Sequence, residues 1–329
     1  MRRLDDLERL NLHQGGFFMK NWMKIILGAA GVLVIAAGVI WFAAPGLVVK
    51  AYTAVEMRKA GLSHKSMKVG DHIIHYLEGG AGEHIMLLHG FGANRAHWLR
   101  FASFITPGYH VVIPDLPGFG ASTYNEKSDY SHNAQAARIK SFADALGLKR
   151  FHMVGNSMGG NIAGNFAAEY PLMVASLALF DASGVNSAEK SERDLMFEKG
   201  INIFAVSNAD EFDRLMNLNF VKPINLLGPV KKMLVEQAIE RKPVIERITK
   251  QLTVDRQALE EKLSRITART LILWGDTDHL IHIGCVKIFE REIENSTTAI
   301  IKECGHIPMV ERPGETAGLY LNFLKAAIH

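Results

Sequence analysis

The sequence predicts an α/β protein whose mostly parallel, doubly wound sheet is interrupted by a helical insertion. Short, continuous apolar runs alternate along the chain with segments of helix length. Such runs suit strands that are buried on both faces of a parallel sheet, and their alternation with helices is typical of a doubly wound fold. Residues 186–266 break the alternation, because their pattern is helical and contains no good strand. An apolar segment near the N terminus predicts an additional transmembrane helix.

Seven strands are predicted. The run His72–Leu77 alternates apolar and polar residues, which indicates one solvated face. The other six are continuous apolar runs: Ile85–Leu88, Val111–Ile113, Phe151–Val154, Leu177–Phe180, Leu271–Trp274 and Ala299–Ile301. Helices are predicted at Ala134–Leu146, Gly160–Tyr170 and Glu315–Ala327, and the stretch Glu56–Lys68 is interpreted as polar chain. We expect residues 64–185 and 267–329 to form the core and 186–266 to form a helical cap.

The composition narrows the class of protein. Of the 329 residues, 48% are hydrophobic and 22% charged, which is ordinary for a globular protein. A net charge of +3, with no basic cluster, does not indicate a nucleic-acid partner. Two cysteines, Cys285 and Cys304, are too few for a disulfide framework, so either a single pair or two buried thiols is expected.

The N-terminal region is predicted to be a flank at 1–24 followed by a single-pass anchor at 25–49. No charge occurs between Lys24 and Lys50, and 20 residues precede Pro45 in this stretch. As a helix, they span about 30 Å, the thickness of the hydrocarbon core of a bilayer. A cleaved signal peptide is the alternative, and Met19 is an alternative start. Basic residues are slightly more crowded before the segment, which places the rest of the chain on the non-cytoplasmic side.

The candidate nucleophile is Ser157. It lies in the sequence Gly155–Gly159, a G-x-S-x-G motif that follows the strand Phe151–Val154 and opens a predicted helix. Small residues are needed two positions before and after the serine because the turn is tight. The N terminus of the helix adds a partial positive charge where an oxyanion would form.

A serine nucleophile requires a base and an acid that orients the base. His306 is the best-placed base, in the loop after the last predicted strand. His89 is the other candidate, but it precedes Ser157 and ends a strand, so we interpret it as a residue that holds its loop. Asp276 and Asp278 both follow the strand Leu271–Trp274, and their spacing barely separates them as candidates for the acid.

Other polar residues receive structural interpretations. Asp115 also precedes Ser157 and is expected to brace its own turn. His279 and His282 have no convincing third ligand for a metal, so a chance pairing is favoured. The oxyanion is expected to be bound by two backbone N–H groups, one from Met158 and one from Phe91 in the glycine-flanked loop after Leu88.

Together, these motifs resemble the α/β-hydrolase superfamily in content and in order. They are His89-Gly90-Phe91-Gly92, Asp115–Gly120, Gly155–Gly160, Trp274–Asp278 and Cys304-Gly305-His306. The N-terminal anchor and Glu311-Arg312-Pro313 are similar to features of membrane-anchored monoacylglycerol lipases and related bacterial lipases and esterases. The resemblance implies the chain order Ser157, Asp278, His306 for the catalytic triad, and its W-G-x-x-D pattern favours Asp278 over Asp276.

The resemblance also implies a function. It predicts a serine ester hydrolase of the lipase and carboxylesterase type, which forms an acyl-enzyme and needs no metal or organic cofactor. The expected partners are a small acyl-ester or lipid substrate and the membrane. One alternative is a carbon–carbon bond hydrolase of ring-cleavage products, which shares the serine motif but usually carries Trp where this chain has Ile307. The other is an inactive receptor or scaffold, although no member of the triad is missing.

Overall fold

The computed structural model describes residues 22–24, 26–27, 29–32, 38, 41–226, 228–254 and 259–326. The chain divides into two compact units, one formed by 1–52 with 227–233 and the other by 53–226 with 234–329. The second unit contains the sheet and every candidate catalytic residue.

In the first unit, the described N-terminal residues are helical at 22–24, 26–27, 29–32, 38 and 41–43. Helix α1, Pro45–Lys59, begins in this unit. Of the predicted anchor 25–49, residues 25, 28, 33–37, 39 and 40 lie outside the described residues. Among the residues that are described, no helix is both long and apolar enough to span a bilayer.

The sheet has eight strands in the order β1-β2-β4-β3-β5-β6-β7-β8. β1 and β2 pair antiparallel, β2 also pairs antiparallel with β4, and the remaining pairs are parallel. The strands are β1 Leu62–Val69, β2 His72–Gly79, β3 His84–Leu88, β4 His110–Pro114, β5 Phe151–Asn156, β6 Val174–Phe180, β7 Thr270–Gly275 and β8 Ser296–Ile301. All seven predicted strands are present.

The interpretation of Glu56–Lys68 as polar chain was wrong, because α1 ends and β1 begins within it. β1 lies at the edge of the sheet and pairs only with β2 along its full length. Its two ends, Leu62 and Val69, are buried, while the side chains between them are mostly exposed. An edge strand with little burial carries no apolar run, and the sequence pattern therefore did not indicate it.

Helices cover both faces of the sheet. On one face, α3 (His132–Ala145), α4 (Met158–Glu169) and α8 (Cys285–Glu292) share a core with alternate strand residues such as Met86 and Leu88. On the other face, α2 (Leu99–Ile105) and α10 (Pro313–Lys325) share a core that includes Ile85 and Leu87. Successive residues of one strand are thus buried on opposite faces, which explains the continuous apolar runs.

The chain between β6 and β7 is helical. It forms α5 (Glu192–Glu198), α6 (Ala209–Asn219) and α7 (Gly228–Val254), followed by a 3-10 turn at Glu260–Arg265. Ile245 and Ile248 of α7 pack into the core beside α3 and α4. A short helix α9, Pro308–Glu311, precedes α10. Both cysteines are buried and free, so the single disulfide left open by the sequence is absent.

Candidate active site

Ser157 occupies a strained turn between β5 and α4. Its φ of 56° and ψ of −119° lie in a region that non-glycine residues rarely adopt. The turn is held by main-chain hydrogen bonds, since Ser157 N donates to Phe180 O at 3.0 Å and Ser157 O accepts from Ser183 N at 3.1 Å. The side chain is only half-buried. A residue held in this way presents its hydroxyl at the carboxyl edge of the sheet.

The glycines around Ser157 are required by close backbone packing. A Cβ atom at Gly155 would lie 2.1 Å from Gly159 O, and one at Gly159 would lie 2.3 Å from Leu88 O. Both contacts are with main-chain atoms, which cannot move aside as a flexible side chain can. The expectation that small residues flank the serine is therefore confirmed.

His306 and Asp278 form a buried hydrogen-bonded pair. His306 Nδ1 lies 2.7 Å from Asp278 Oδ2. The other carboxylate oxygen, Oδ1, accepts hydrogen bonds from Leu280 N at 2.7 Å and Ile281 N at 3.0 Å. Because Nδ1–H donates to a carboxylate, Nε2 is left as the acceptor that a general base requires.

Asp276 has a different environment from Asp278. Its carboxylate accepts a hydrogen bond from the Thr277 hydroxyl at 2.9 Å and lies 3.5 Å from Lys302 Nζ. Burial acts to raise the pKa of Asp276, but the Thr277 hydrogen bond, main-chain hydrogen bonds and the charge of Lys302 together lower it below its ordinary value. Asp278, not Asp276, therefore contacts His306.

Asn156 connects the serine turn to the histidine. Its Nδ2 donates to His306 O at 3.0 Å and to Phe180 O at 3.1 Å, and the whole side chain is buried. In the part of the chain that the structure describes, no direct hydrogen bond joins the Ser157 hydroxyl to His306. No role is predicted for Asn156 from the sequence, although its position at the end of a buried strand is evident there.

The loop after β3 approaches Ser157 closely. A Cβ atom at Gly90 would lie 3.2 Å from Ser157 Cβ and 3.2 Å from Asn156 Oδ1. Phe91 follows in this loop, and Gly92 has a φ of +72° that favours glycine. Met158 is the first residue of α4, so its N–H has no acceptor within the helix. Met158 thus directly follows Ser157, and Phe91 directly follows Gly90, whose backbone approaches Ser157.

His89 braces this loop, as the sequence analysis expected. Its Nε2 accepts a hydrogen bond from Leu116 N at 2.9 Å, and its Nδ1 lies 2.8 Å from Gly90 O. The ring is fully buried, and burial lowers the pKa of His89. A neutral imidazole that is bonded on both nitrogens cannot act as the general base.

Asp115 braces the neighbouring turn. Its carboxylate accepts Arg95 N at 2.7 Å and Ala121 N at 2.7 Å, and it pairs with the Arg95 guanidinium. A Cβ atom at Gly120 would collide with this carboxylate. The turn is therefore built around the acid, in agreement with the structural role expected for it.

Two acids near the site were not assigned a role from sequence. Asp181 directly follows β6, has a φ of 45° and accepts Gly275 N at 2.9 Å. Burial, followed by the adjacent charge of Asp278, raises its pKa well above the ordinary value. Glu311 accepts three main-chain N–H groups, from Gly305 at 2.8 Å, Val221 at 3.0 Å and Lys222 at 3.1 Å. Asp181 immediately follows an apolar run, and this position is a signal from which a role at the sheet edge could have been predicted.

A metal ion would have to compete with existing hydrogen bonds here. Asp181, Asp278 and His306 each have one ligand atom within 4.8 Å of the others. His306 Nδ1 and Asp278 Oδ2 are already bonded to each other at 2.7 Å, which makes the geometry that of an orienting pair. His279 lies 2.8 Å from Glu192 Oε1, and His282 lies 4.0 Å from Glu189 Oε2.

Aromatic side chains link the loop after β3 to the helical insertion. The ring of Phe91 packs against Phe204 at a centroid distance of 5.1 Å and against Phe119 at 5.4 Å. Phe204 in turn contacts Phe197 at 6.3 Å. An apolar wall made of residues from both the core and the insertion therefore adjoins the loop that carries Phe91.

A comparison with known protein families agrees with these features of the fold and of the site. A profile of the α/β hydrolase fold matches residues 83–313. The chain belongs to the α/β-hydrolase family. The family resemblance inferred from the five motifs is thereby confirmed.

Relatives of this α/β hydrolase include lipases. It is 35% identical to Lipase 1 of Psychrobacter immobilis, over 82% of this chain and 86% of that lipase. It is 30% identical to the monoacylglycerol lipase ABHD6 of Rattus norvegicus, over 90% of each chain. A crystal structure of a membrane phospholipase A, described as a novel bacterial virulence factor, matches with a TM-score of 0.84 and 41% identity, over 92% of this chain and 98% of the other. This α/β hydrolase is therefore a lipase-like enzyme.

Proposed function

We propose that this α/β hydrolase cleaves the acyl esters of membrane lipids through a Ser157–His306–Asp278 triad. The observation that carries the proposal is the buried 2.7 Å hydrogen bond between His306 and Asp278, on the same sheet edge as the strained Ser157 turn. This pairing supplies a base in a fixed tautomer, which a serine nucleophile needs.

The reaction proceeds through an acyl-enzyme. His306 Nε2 takes the proton of Ser157 as its oxygen attacks the ester carbonyl, and Asp278 stabilises the imidazolium that results. The N–H groups of Phe91 and Met158 bind the negative oxygen of the tetrahedral intermediate. His306 then returns the proton to the departing alcohol, and a water activated by the same histidine releases the fatty acid.

The substrate class is an ester with a long apolar acyl group. The wall formed by Phe91, Phe204 and Phe197 supports this, because such rings gain from contact with an alkyl chain and from the exclusion of water. We assign residues 186–266 to a cap over the site, with 64–185 and 267–329 as the catalytic core. The similarity to a monoacylglycerol lipase and to a membrane phospholipase A points in the same direction, to monoacylglycerol and phospholipid esters.

A membrane anchor at residues 25–49 completes the proposal. Large apolar side chains of the described N-terminal residues are more than half exposed, among them Ile26 at 61%, Leu27 at 70% and Phe42 at 75%. Exposed apolar groups on a helical segment suit a lipid environment. The crowding of Lys20 and Lys24 before the segment favours a non-cytoplasmic catalytic part.

The activity is tested with the purified full chain in detergent. Substrates are p-nitrophenyl esters of increasing chain length, a monoacylglycerol, a phospholipid and a ring-cleavage dienoate. We expect hydrolysis of the esters but not of the dienoate, loss of at least about 10⁴-fold in kcat for Ser157→Ala, and loss of fluorophosphonate labelling in the same variant. Hydrolysis of the dienoate alone would replace this proposal by the carbon–carbon bond hydrolase.

The anchor is tested separately by membrane fractionation. The full chain is compared with a chain that lacks residues 1–44, which leaves helix α1 intact. We expect the full chain in the membrane fraction after a high-salt wash and the shortened chain in the supernatant. A full chain that is recovered in the supernatant contradicts the anchor without affecting the proposed chemistry.

A further inference from the structure

Asp181 is a fully buried acid beside the proposed triad. It lies at the carboxyl end of β6, and one of its oxygens is within 4.8 Å of ligand atoms of Asp278 and His306. Its positive φ is uncommon outside glycine, and a buried carboxyl without a counter-charge is costly to ionise. Backbone strain together with burial next to a reactive pair suggests a role beyond packing.

The two oxygens of Asp181 have different surroundings. Oδ1 accepts a hydrogen bond from Gly275 N at 2.9 Å. Within the described residues, no N–H or hydroxyl group donates to the buried Oδ2. The Asp181 carboxyl instead lies beside the carboxyl of Asp278, with an oxygen of each within 4.8 Å of the other. Two buried carboxylates this close repel each other strongly when both are ionised, which favours a pair that keeps one proton.

The donors around each residue decide where that proton lies. Asp278 accepts three N–H donors, from Leu280, Ile281 and His306, at 2.7 to 3.0 Å. Three donors stabilise the ionised form of Asp278, whereas Asp181 has one. Burial and the charge of Asp278 raise the pKa of Asp181 well above its ordinary value, and Glu311 acts in the same direction.

We infer that Asp181 is a protonated positioning residue, whose carboxyl O–H donates to Asp278 and holds that carboxylate in place for His306. The inference rests on the proposed triad, because Asp181 acts through Asp278 and not on the substrate. The protonated pair has a single negative charge. Asp278 is thereby fixed by one further hydrogen bond without the repulsion that a second charge would bring.

The first test compares Asp181→Asn with Asp181→Leu in the full chain, on an ester that wild type cleaves and Ser157→Ala does not. Asparagine keeps an acceptor for Gly275 N–H and a donor for Asp278, whereas leucine keeps only the approximate size. We expect kcat to fall by less than about tenfold for Asp181→Asn and by about 100-fold for Asp181→Leu, with KM within about threefold of wild type in both. Equal losses in two variants that melt like wild type would overturn the inference.

The pH dependence of kcat/KM tests the charge of Asp181 directly. Asp278, His306, Glu311 and Cys304 face Asp181 and are unchanged in Asp181→Asn. If Asp181 is neutral, a neutral amide leaves the acidic limb of the profile within about 0.3 pH unit of wild type. If Asp181 is ionised, the substitution removes a negative charge near His306 and moves that limb down by more than about one unit, which would contradict the inference.

Infrared spectroscopy provides a test that does not depend on activity. At neutral pH we expect wild type to show the band of a buried protonated carboxyl and Asp181→Asn to lack it. A band that is absent from wild type, or that persists in the variant, overturns the inference. Full ester hydrolysis by Ser157→Ala would instead overturn the proposed function, while the infrared result still reports the protonation of Asp181. If Asp181→Leu does not fold, Asp181→Asn and the infrared band remain decisive.

Discussion

The side chain of Asn156 holds the main chain of His306 through a hydrogen bond of 3.0 Å from Nδ2 to the carbonyl oxygen. These residues are 150 positions apart in sequence. The same amide group binds Phe180 O at 3.1 Å, so the end of β6 is tied to the same point. Because Asn156 directly precedes Ser157, this buried amide sets the position of His306 relative to Ser157.

We predict that Asn156→Asp lowers kcat/KM by about 100-fold, because a carboxylate of the same shape has no N–H to donate and faces two carbonyl oxygens. Steady-state kinetics with a soluble ester measure the loss. The matched control is Asn165→Asp in α4, a buried amide whose Nδ2 also donates to two oxygens, Asn161 O at 3.1 Å and Asn161 Oδ1 at 2.7 Å. Those bonds stay within α4 and do not reach the histidine loop, and Lys262 Nζ lies 3.1 Å from Asn165 Oδ1. We expect the control to remain within about threefold of wild type. Similar losses in both variants would mean that Asn156 has no special link to catalysis.

Glu311 joins the histidine loop to the end of α6. Its carboxylate accepts N–H groups from Gly305, which precedes His306, and from Val221 and Lys222. We predict that Glu311→Gln lowers the free energy of unfolding by about 1–3 kcal/mol, because the amide nitrogen cannot accept these bonds. Urea unfolding measures the change, and we expect kcat to fall in parallel.

The control for Glu311 is Glu315→Gln. Glu315 is exposed and pairs with Arg312 at 3.0 Å. Its substitution should change the unfolding free energy by less than about 0.5 kcal/mol. If Glu311→Gln is as mild as this control, its three contacts do not stabilise the histidine loop.

The close packing at Gly155 predicts a large loss for Gly155→Ala. Its Cβ would lie 2.1 Å from a main-chain oxygen, and we expect a loss of at least about 2 kcal/mol in unfolding free energy together with loss of activity. Thermal unfolding and esterase assays measure both.

Gly318→Ala is the control, because its Cβ in the exposed face of α10 would meet nothing within 4 Å. It should stabilise the protein by about 0.5–1 kcal/mol, as alanine favours helix more than glycine does. A stable, active Gly155→Ala variant would contradict the steric argument.

The buried environment of His97 makes the free energy of unfolding sensitive to acid. Burial, and next the neighbouring His89, lower the pKa of His97 from 6.5 to about 4. Between pH 6.5 and 4, His97 binds a proton in the unfolded chain but not in the folded chain. The free energy of unfolding is therefore highest above pH 6.5 and decreases as the pH falls towards 4. The decrease caused by His97 is about 3 kcal/mol at most.

We predict that His97→Gln reduces this pH dependence, measured as unfolding free energy in urea at pH 7, 5.5 and 4.5. A control substitution, His279→Gln, at a half-buried histidine next to Glu192, should keep the wild-type dependence. If His97→Gln and wild type lose stability in parallel as the pH falls, other groups cause the acid sensitivity.

Much of this fold is predictable because its signals are local. A strand buried on both faces must be apolar along its whole length, as β3 and β5 are, and a nucleophile turn with a positive φ must be flanked by glycine. The edge strand β1 was not predicted, because main-chain hydrogen bonds hold it to β2 and it requires no run of apolar side chains. The helix α2 was also not predicted, because seven residues are too short to show a helical period.

The sequence by itself determined the alternation of strands and helices, the serine turn and the small set of polar residues at the carboxyl ends of the strands. Spacing alone left Asp276 and Asp278 open, the family resemblance favoured Asp278, and the tertiary structure shows its contact with His306. Only the tertiary structure decided that Asn156 binds the carbonyl of His306 and that Asp181 lies close to Asp278. The physical reason is that conformational preferences act over a few residues. Contacts at the carboxyl edge of the sheet depend instead on the conformations of loops that are far apart in sequence. No local sequence pattern determines how these loops meet.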